Sequence, residues 1–363
     1  MKNIVITTDN YLPRWDGIAR FLKELIPELA KKNKITIFAP KFEGKPPQYK
    51  NTELIRFPLI NIQFGDIFFA KPNKKTMKEK IKKADLIFNN TIGTIGAAGI
   101  KIGHKQKKPI ISYIHNVEWE LASRAIKRFK WLAKILVKKR ARKLYNKCTL
   151  LLAPNKEIED LLTENKIKTR KEVVHLGVNI KKFKPAKSKK EAKKKININP
   201  KTKIIGFTGR IAREKNLPTL VKAFKNIRKK NKNIKLLIVG EGLEEEIPST
   251  KTIIRTGKQD NIVPFLQAMD MFVLPSLTET SSLATMEAMA CGIAPIVTPV
   301  GSIREYITDG KNGLIFPRED PKALQEKIEI LLKNKKLREN MGKEARKTIV
   351  KKYNWKDTAK KIE

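Results

Sequence analysis

The chain has 363 residues, 40% of them hydrophobic, and its 79 Lys+Arg against 36 Asp+Glu give a formal charge of +43. At ~150 residues per domain this length suits two domains, and the apolar share is enough to fill a core in each, which excludes wholesale disorder. Two cysteines, Cys148 and Cys291, neither staple a chain of this size nor match a zinc or redox spacing, and no run approaches the ~20 apolar residues of a membrane span, so the expected location is the cytoplasm.

In chain order, KNIVITT reads as a buried strand, and GIARFLKELIPELAKK follows with Ile18, Phe21, Leu22, Leu25, Ile26 and Leu29 at helical spacing. KITIFAP returns as a second strand, and further strands are expected at 53–57, 85–88, 109–115, 149–153 and 172–175. Between them lie a glycine-containing helix at 93–103 and a long basic helix over 118–145. The lysine-dense AKSKKEAKKKININPK has no apolar period and reads as an interdomain crossing. The alternation then restarts with KIIGFTG, NLPTLVKAFKNIRKK, IKLLIVG, a short helix near Glu244, TIIRTG, NIVPFLQAM, MFVLPS, SLATMEAMA, IAPIVT and GLIFP, and two helices over 321–333 and 335–351 follow. Alternation of this kind is the sequence form of a parallel sheet wrapped by helices, so the fold class is α/β, with two Rossmann-like doubly wound domains and a cleft between them. The expected boundaries are 1–184 for an N-terminal domain, 185–200 for the linker and 201–346 for a C-terminal domain. Residues 347–363 are expected to pack back toward the first domain.

Most of the positive charge is dispersed, since lysines occur in nearly every block of ten. The exception runs from Leu121 to Lys156, where no acidic residue occurs. On one predicted helix face Ala125, Ile126, Phe129, Leu132, Ala133 and Leu136 are expected to pack on the sheet. Arg124, Lys127, Arg128, Lys134, Lys138 and Arg142 lie opposite, with Trp131 and Ile135 among them. Such a face suits an anionic membrane surface, the ring at headgroup depth and the cations on lipid phosphates; the alternative is a solvated helix with Trp131 lying on lysine stems. Arg124, Lys127, Arg128, Trp131, Ile135 and Lys138 are the expected membrane contacts.

The chemistry concentrates between Asp270 and Pro317, where a strand ends at Pro275, a polar loop holds Glu279, and a helix opens near Ser282 and carries Glu287 eight residues later. Backbone N–H groups around Ser282 and Leu283 suit a phosphate. In isolation, Glu279 reads as a helix cap and Glu287 as half of a surface salt bridge. The surrounding text changes the balance. EAMACG, VGSIREYITDGKNGLIFP, FTGRIAREKNLPTLVKAF, LLIVGEG, VVHLGVNIKKFKP and a terminal YNW, in this order and spacing, closely resemble the retaining nucleotide-sugar glycosyltransferases of family 4, with the two-domain GT-B fold.

The resemblance implies a hexosyltransferase that moves a hexose from a UDP- or GDP-sugar to an acceptor hydroxyl, a lipid or cell-envelope glycan precursor at the cytoplasmic membrane face. No cofactor or metal is expected. By the same resemblance Arg210 and Lys215 clamp the donor diphosphate, a task a metal performs elsewhere. Glu287 accepts from the ribose hydroxyls, and Glu279 contacts the donor sugar where a carboxylate favours oxocarbenium character. His115, after the apolar strand PIISYI, touches donor sugar or acceptor hydroxyl, and Gly17 forms the tight turn beside the donor. Two departures stand out. Thr280, Ser281 and Ser282 occupy positions where many members carry glycines, and Asp16-Gly17-Ile18 stands where a glycine pair is common. Asp16 also suits a plain helix cap. The alternatives are a same-fold enzyme with a soluble sugar acceptor and, from charge alone, a nucleic-acid-binding protein, although no nucleic-acid motif is present and none is expected as a partner.

Overall fold

The computed structural model describes residues 1–14, 16–64, 67–125, 130–243 and 247–363. The chain forms two compact units, Met1–His175 with Ala359–Glu363, and Leu176–Thr358.

The first unit begins with β1 (Lys2–Thr7), α1 (Gly17–Leu29), β2 (Asn33–Pro40) and β3 (Thr52–Phe57). Next come β4 (Leu59–Phe64), β5 (Ile67–Ala70), α2 (Lys74–Lys82), β6 (Leu86–Asn89), α3 (Thr94–Lys105) and β7 (Ile110–Tyr113). It closes with α4 (Glu118–Ala125), α5 (Lys130–Tyr145), β8 (Leu150–Ala153), α6 (Lys156–Glu164) and β9 (Lys171–Val173). Among the described residues the main sheet runs β3-β2-β1-β6-β7-β8-β9, and every pairing in it is parallel. Helices cover both faces of such a sheet, so its strands are continuous apolar runs rather than alternating ones. In α1 the residues at helical spacing, Ile18 through Leu29, are the buried ones, and Asp16 caps the helix by accepting from the Ala19 N–H at 2.8 Å. β4 and β5 form an antiparallel hairpin outside this sheet.

The second unit comprises α7 (Lys189–Lys195), β10 (Lys203–Thr208), a 3₁₀ turn at Arg213–Lys215, α8 (Leu217–Lys230), β11 (Ile234–Val239), β12 (Ile253–Arg255) and α9 (Val263–Ala268). It continues with β13 (Met271–Leu274), α10 (Leu283–Ala290), β14 (Ala294–Val297), α11 (Ile303–Tyr306), β15 (Leu314–Ile315), α12 (Pro321–Lys333) and α13 (Lys335–Lys352). α14 (Trp355–Ile362) ends in the residues that belong to the first unit. Its sheet, β12-β11-β10-β13-β14-β15, is also all parallel. α10 is apolar nearly all round because it is buried between β14 and α13, as a helix without a polar face must be.

Three expectations change against the structure. The segment 185–200, read as a crossing, carries α7, which packs on α9 within the second unit. Lys193 there is buried and donates to Asp270 Oδ2 and to the Thr202 carbonyl, both at 2.7 Å. The long basic helix is described as α4 and α5, with 126–129 outside the described residues, as are 244–246, where a short helix was expected. The inward face of α5 is also rotated. Leu132 and Leu136, expected against the sheet, are 41% and 57% exposed, because Val137, Ala141, Leu144 and Tyr145 form the stripe that enters the core.

Candidate active site

In the second unit the chain leaves β10 at Gly209 and Arg210, and Ile211 pairs with Gly242 before the 3₁₀ turn. Gly240, with φ +144°, runs so close to Gly209 that a Cβ would lie 1.9 Å from its carbonyl oxygen. Only glycine permits that approach. The turn places Arg210 and Lys215 on the same loop with different partners. Arg210 Nη2 meets Glu214 Oε1 at 2.5 Å in a solvent-facing pair. Lys215 Nζ donates to Glu279 Oε1 at 2.7 Å, with the two side chains 19% and 10% exposed, and Ser276 Oγ donates to the same oxygen at 2.7 Å. The Leu277 N–H donates to the Glu214 carbonyl at 2.8 Å, tying the two loops together.

Glu279 therefore does not cap α10. Ser282 does, its hydroxyl accepting from the Thr285 N–H at 3.3 Å and lying 2.9 Å from the Thr285 hydroxyl. Leu283 opens the helix, and Glu287 lies inside it at 3% exposure, which rules out a surface salt bridge. The loop between Glu279 and Ser282 is clamped from behind by Ser302, whose N–H and hydroxyl donate to the Thr280 carbonyl at 3.1 and 3.0 Å, the hydroxyl also lying 2.9 Å from Ser281 Oγ. Gly301 makes that clamp possible. Its φ is +54°, and a Cβ would meet the Glu279 carbonyl oxygen at 2.1 Å. Tyr306 is buried beneath the same helix start. Burial first, then the Glu279 charge, holds its phenol well above the ordinary range. Neither Ser276 nor Tyr306 was singled out from the sequence, because a serine after a strand and a tyrosine ending a one-turn helix carry no spacing signal.

In the first unit His115 lies two residues beyond β7. Its ring packs edge-on against Phe21 of α1 at 4.8 Å and beside Tyr113 at 4.7 Å, and Nε2 lies 3.1 Å from Asn90 Oδ1. Burial pushes this imidazole down to about 3, so it is neutral at physiological pH. Gly17 is the first residue of α1, and a Cβ there would meet nothing within 4 Å, so packing within the chain does not demand the glycine. His175, by contrast, is tied locally, Nδ1 lying 3.0 Å from the Pro154 carbonyl.

Of the expected membrane contacts, Trp131 and Ile135 are 66% and 53% exposed, and together with Leu132 and Leu136 they form one apolar patch on α5. Lys138 is partly buried on the same helix, and Lys134 pairs with Glu120 at 2.7 Å. Lys127 and Arg128 lie outside the described residues, and the side chain of Arg124 is not described. Among the described residues no helix is long and apolar enough to cross a membrane.

Two family models match the chain, one over each unit. Residues 15–182 match glycosyltransferase family 4, and residues 188–348 match glycosyl transferases group 1. The chain belongs to the group 1 glycosyltransferases of family 4. It is thus a hexosyltransferase, and the nucleic-acid alternative drawn from charge is set aside. A curated relative, alpha-monoglucosyldiacylglycerol synthase of Streptococcus pneumoniae, is 26% identical over 330 residues, covering 86% of this chain and 75% of its own. Among solved structures, sucrose-phosphate synthase from Thermosynechococcus elongatus superposes with a TM-score of 0.80 at 19% identity, over 100% of this chain and 97% of that one. Anabaena HepE in complex with UDP-glucose gives 0.78 at 14% identity, over 100% and 98%. These similarities establish the GT-B fold for this glycosyltransferase.

Proposed function

We propose that this glycosyltransferase moves a hexose, with retention of configuration and without a metal, from a UDP- or GDP-sugar to the hydroxyl of a lipid or envelope-glycan precursor at the cytoplasmic membrane face. The observation that carries the reading is the Lys215–Glu279–Ser276 cluster beside the start of α10, with Glu287 buried one turn further on. An incoming diphosphate exchanges with Glu279 for Lys215 and with Glu214 for Arg210. Those two cations then offset the charge that grows on the leaving nucleotide as the bond between C1 and the phosphate oxygen breaks. Glu287 accepts from the ribose hydroxyls. Glu279, released from Lys215, faces the positive character developing at C1. The acceptor oxygen bonds to C1 on the face the phosphate leaves, and its proton passes to the departing phosphate oxygen. His115, neutral, holds a substrate hydroxyl rather than removing a proton.

A lipid acceptor is favoured over a soluble sugar by the exposed patch of Trp131, Leu132, Ile135 and Leu136, set among cations on a helix whose other face is anchored in the core. The relative from Streptococcus pneumoniae, named for a glycolipid product, points the same way, and HepE, solved with UDP-glucose, supports a nucleotide-sugar donor. The test is incubation of the purified protein with labelled UDP- and GDP-hexoses and vesicles containing diacylglycerol, monoglycosyldiacylglycerol or polyprenyl phosphate. Transfer to lipid is expected, with vesicle dependence lost when the α5 patch is made polar. Transfer only to soluble sugars refutes the lipid acceptor, and the absence of both transfer and slow donor hydrolysis refutes the donor assignment.

A further inference from the structure

His115 has a neighbour that determines what its ring offers to a substrate. Asn90 is buried, and its backbone N–H donates to the Thr7 carbonyl at 2.9 Å, holding it at the end of β6. Its side-chain Nδ2 donates to the Phe88 carbonyl at 3.4 Å, which leaves Oδ1 as the atom facing His115 Nε2 at 3.1 Å. An amide oxygen only accepts, so the imidazole nitrogen opposite it must carry the hydrogen. A neutral imidazole with a hydrogen on Nε2 has a lone pair on Nδ1. The rings packed on it, Phe21 and Tyr113, are uncharged, and the Tyr113 hydroxyl is already committed to the Val174 carbonyl at 2.8 Å.

We infer that Asn90 is a positioning residue that locks His115 as the Nε2–H tautomer, so that Nδ1 accepts a hydrogen bond from a substrate hydroxyl. The inference rests on the placement of His115 at the substrate proposed above and adds what that placement leaves open, the direction of the hydrogen bond. It makes His115 selective for a group that donates, a hydroxyl, over one that only accepts, an ether or a carboxylate. The neighbouring buried chain from Thr7 Oγ1 to Asn89 Oδ1 at 2.7 Å, and from Asn89 Nδ2 to Ser112 Oγ at 2.8 Å, keeps β1, β6 and β7 in register beneath this pair.

The test combines two readouts on the full chain. Imidazole two-bond ¹H–¹⁵N correlation spectra, with the His115 signals assigned by their loss in His115→Asn, are expected to show the Nε2–H tautomer in the wild type and a mixture of tautomers in Asn90→Leu. Steady-state transfer is expected to show the KM of the one substrate whose hydroxyl His115 holds, donor or acceptor, rising by up to about tenfold in Asn90→Leu, the scale of one hydrogen bond, with the other KM unchanged. Asn90→Asp supplies the control on direction. A carboxylate beside Nε2–H keeps that tautomer and raises the imidazole from about 3 to roughly 4–6, so the imidazolium, whose Nδ1 is a donor, should form and transfer should fall as the pH drops below about 6, where the wild type is flat. An Nδ1–H tautomer in the wild type, or an unchanged tautomer in Asn90→Leu, overturns the inference. If His115→Ala impairs transfer while Asn90→Leu and Asn90→Asp do not, the positioning role fails and the placement of His115 stands. If His115→Ala itself changes nothing, the placement fails and the inference falls with it.

Discussion

Replacing Lys215 by methionine separates what the Lys215–Glu279 pair does for the fold from what Lys215 does for the donor. The side chain keeps its length and loses its charge. Glu279, only 10% exposed, then keeps the Ser276 hydroxyl as a donor but loses its cation. Removing one member of a fully buried pair costs ~3–5 kcal/mol, and the partial exposure of Lys215 brings the expected loss of stability to about 2 kcal/mol. Toward the donor, a unit charge ~4 Å from a phosphate is worth about 4 kcal/mol at an effective dielectric of ~20. Part of that gain is offset because the lysine must leave Glu279 to reach the phosphate, so the expected loss in donor affinity is about 100-fold, or ~2.7 kcal/mol. The double variant Lys215→Met/Glu279→Gln discriminates the two effects. A neutral amide needs no cation, so stability should return to within about 0.5 kcal/mol of the wild type while donor affinity stays low. Denaturant unfolding reads the first quantity, and calorimetric titration with UDP, GDP and their hexose conjugates reads the second. Wild-type donor affinity in Lys215→Met, or recovery of both quantities in the double variant, would refute the reasoning.

Three other variants report on separate features of the two units. Gly301→Ala places a Cβ against the Glu279 carbonyl at a φ of +54°, so a loss of about 1–3 kcal/mol in thermal unfolding is expected together with weaker donor binding; a variant as stable as the wild type contradicts the clamp. Glu118 accepts from the Tyr145 hydroxyl, yet burial pushes its carboxyl up to about 7. The folded state therefore holds a proton that the unfolded state has released between about 4.5 and 7, so stability is full below that window and declines through it by at most about 1.4 kcal/mol per pH unit; Glu118→Gln should flatten this decline in denaturant melts at pH 5, 6, 7 and 8. Trp131→Ala together with Leu136→Ser should lower co-sedimentation with anionic vesicles by at least about tenfold with circular dichroism unaltered, since each removes roughly 1–2 kcal/mol of apolar burial at a lipid interface; equal sedimentation excludes α5 as the contact.

The parallel sheets were legible because strands buried on both faces, such as IVIT of β1 and MFVL of β13, stand out as apolar runs bounded by polar text. The stripe of α1 was equally plain, having one face and one partner. α7 was not legible, since its anchor is a lysine: Lys193 is buried against Asp270, and nothing in KKEAKKK distinguishes it from its solvated neighbours. α5 defeated periodicity for the opposite reason. WLAKILV carries two apolar stripes at helical spacing, and only the one continuing through Ala141 and Tyr145 finds a core to enter. At the candidate site, Arg210, Lys215, Glu279 and Glu287 were singled out through the family resemblance of the motifs that hold them. Asn90, Ser276 and Tyr306 act by contacts between strands and loops distant in sequence, which no local pattern encodes.

The two units also differ in how they treat the positive end of a helix that follows a sheet strand, and this difference supports assigning the donor diphosphate to the second. In the first unit Asp9 is turned inward onto the start of α3, its carboxylate accepting from the Ile95 N–H at 2.8 Å and the Gly96 N–H at 3.2 Å, with the Thr91 and Thr94 hydroxyls completing the shell at 2.5 and 3.2 Å. A full negative charge built into the fold already answers that helix dipole, and a second anion there would meet it at close range. At the start of α10 the cap is the neutral hydroxyl of Ser282, and the nearby negative charge, Glu279, lies on the preceding loop, held by Lys215 and Ser276. The dipole of α10 is left to a ligand, and the cation that partners Glu279 is the one a diphosphate would draw away. Asp9→Asn should therefore lower the stability of the first unit without altering nucleotide affinity, whereas Ser282→Asp, which installs in α10 the charge that α3 already carries, should keep the helix capped and abolish donor binding.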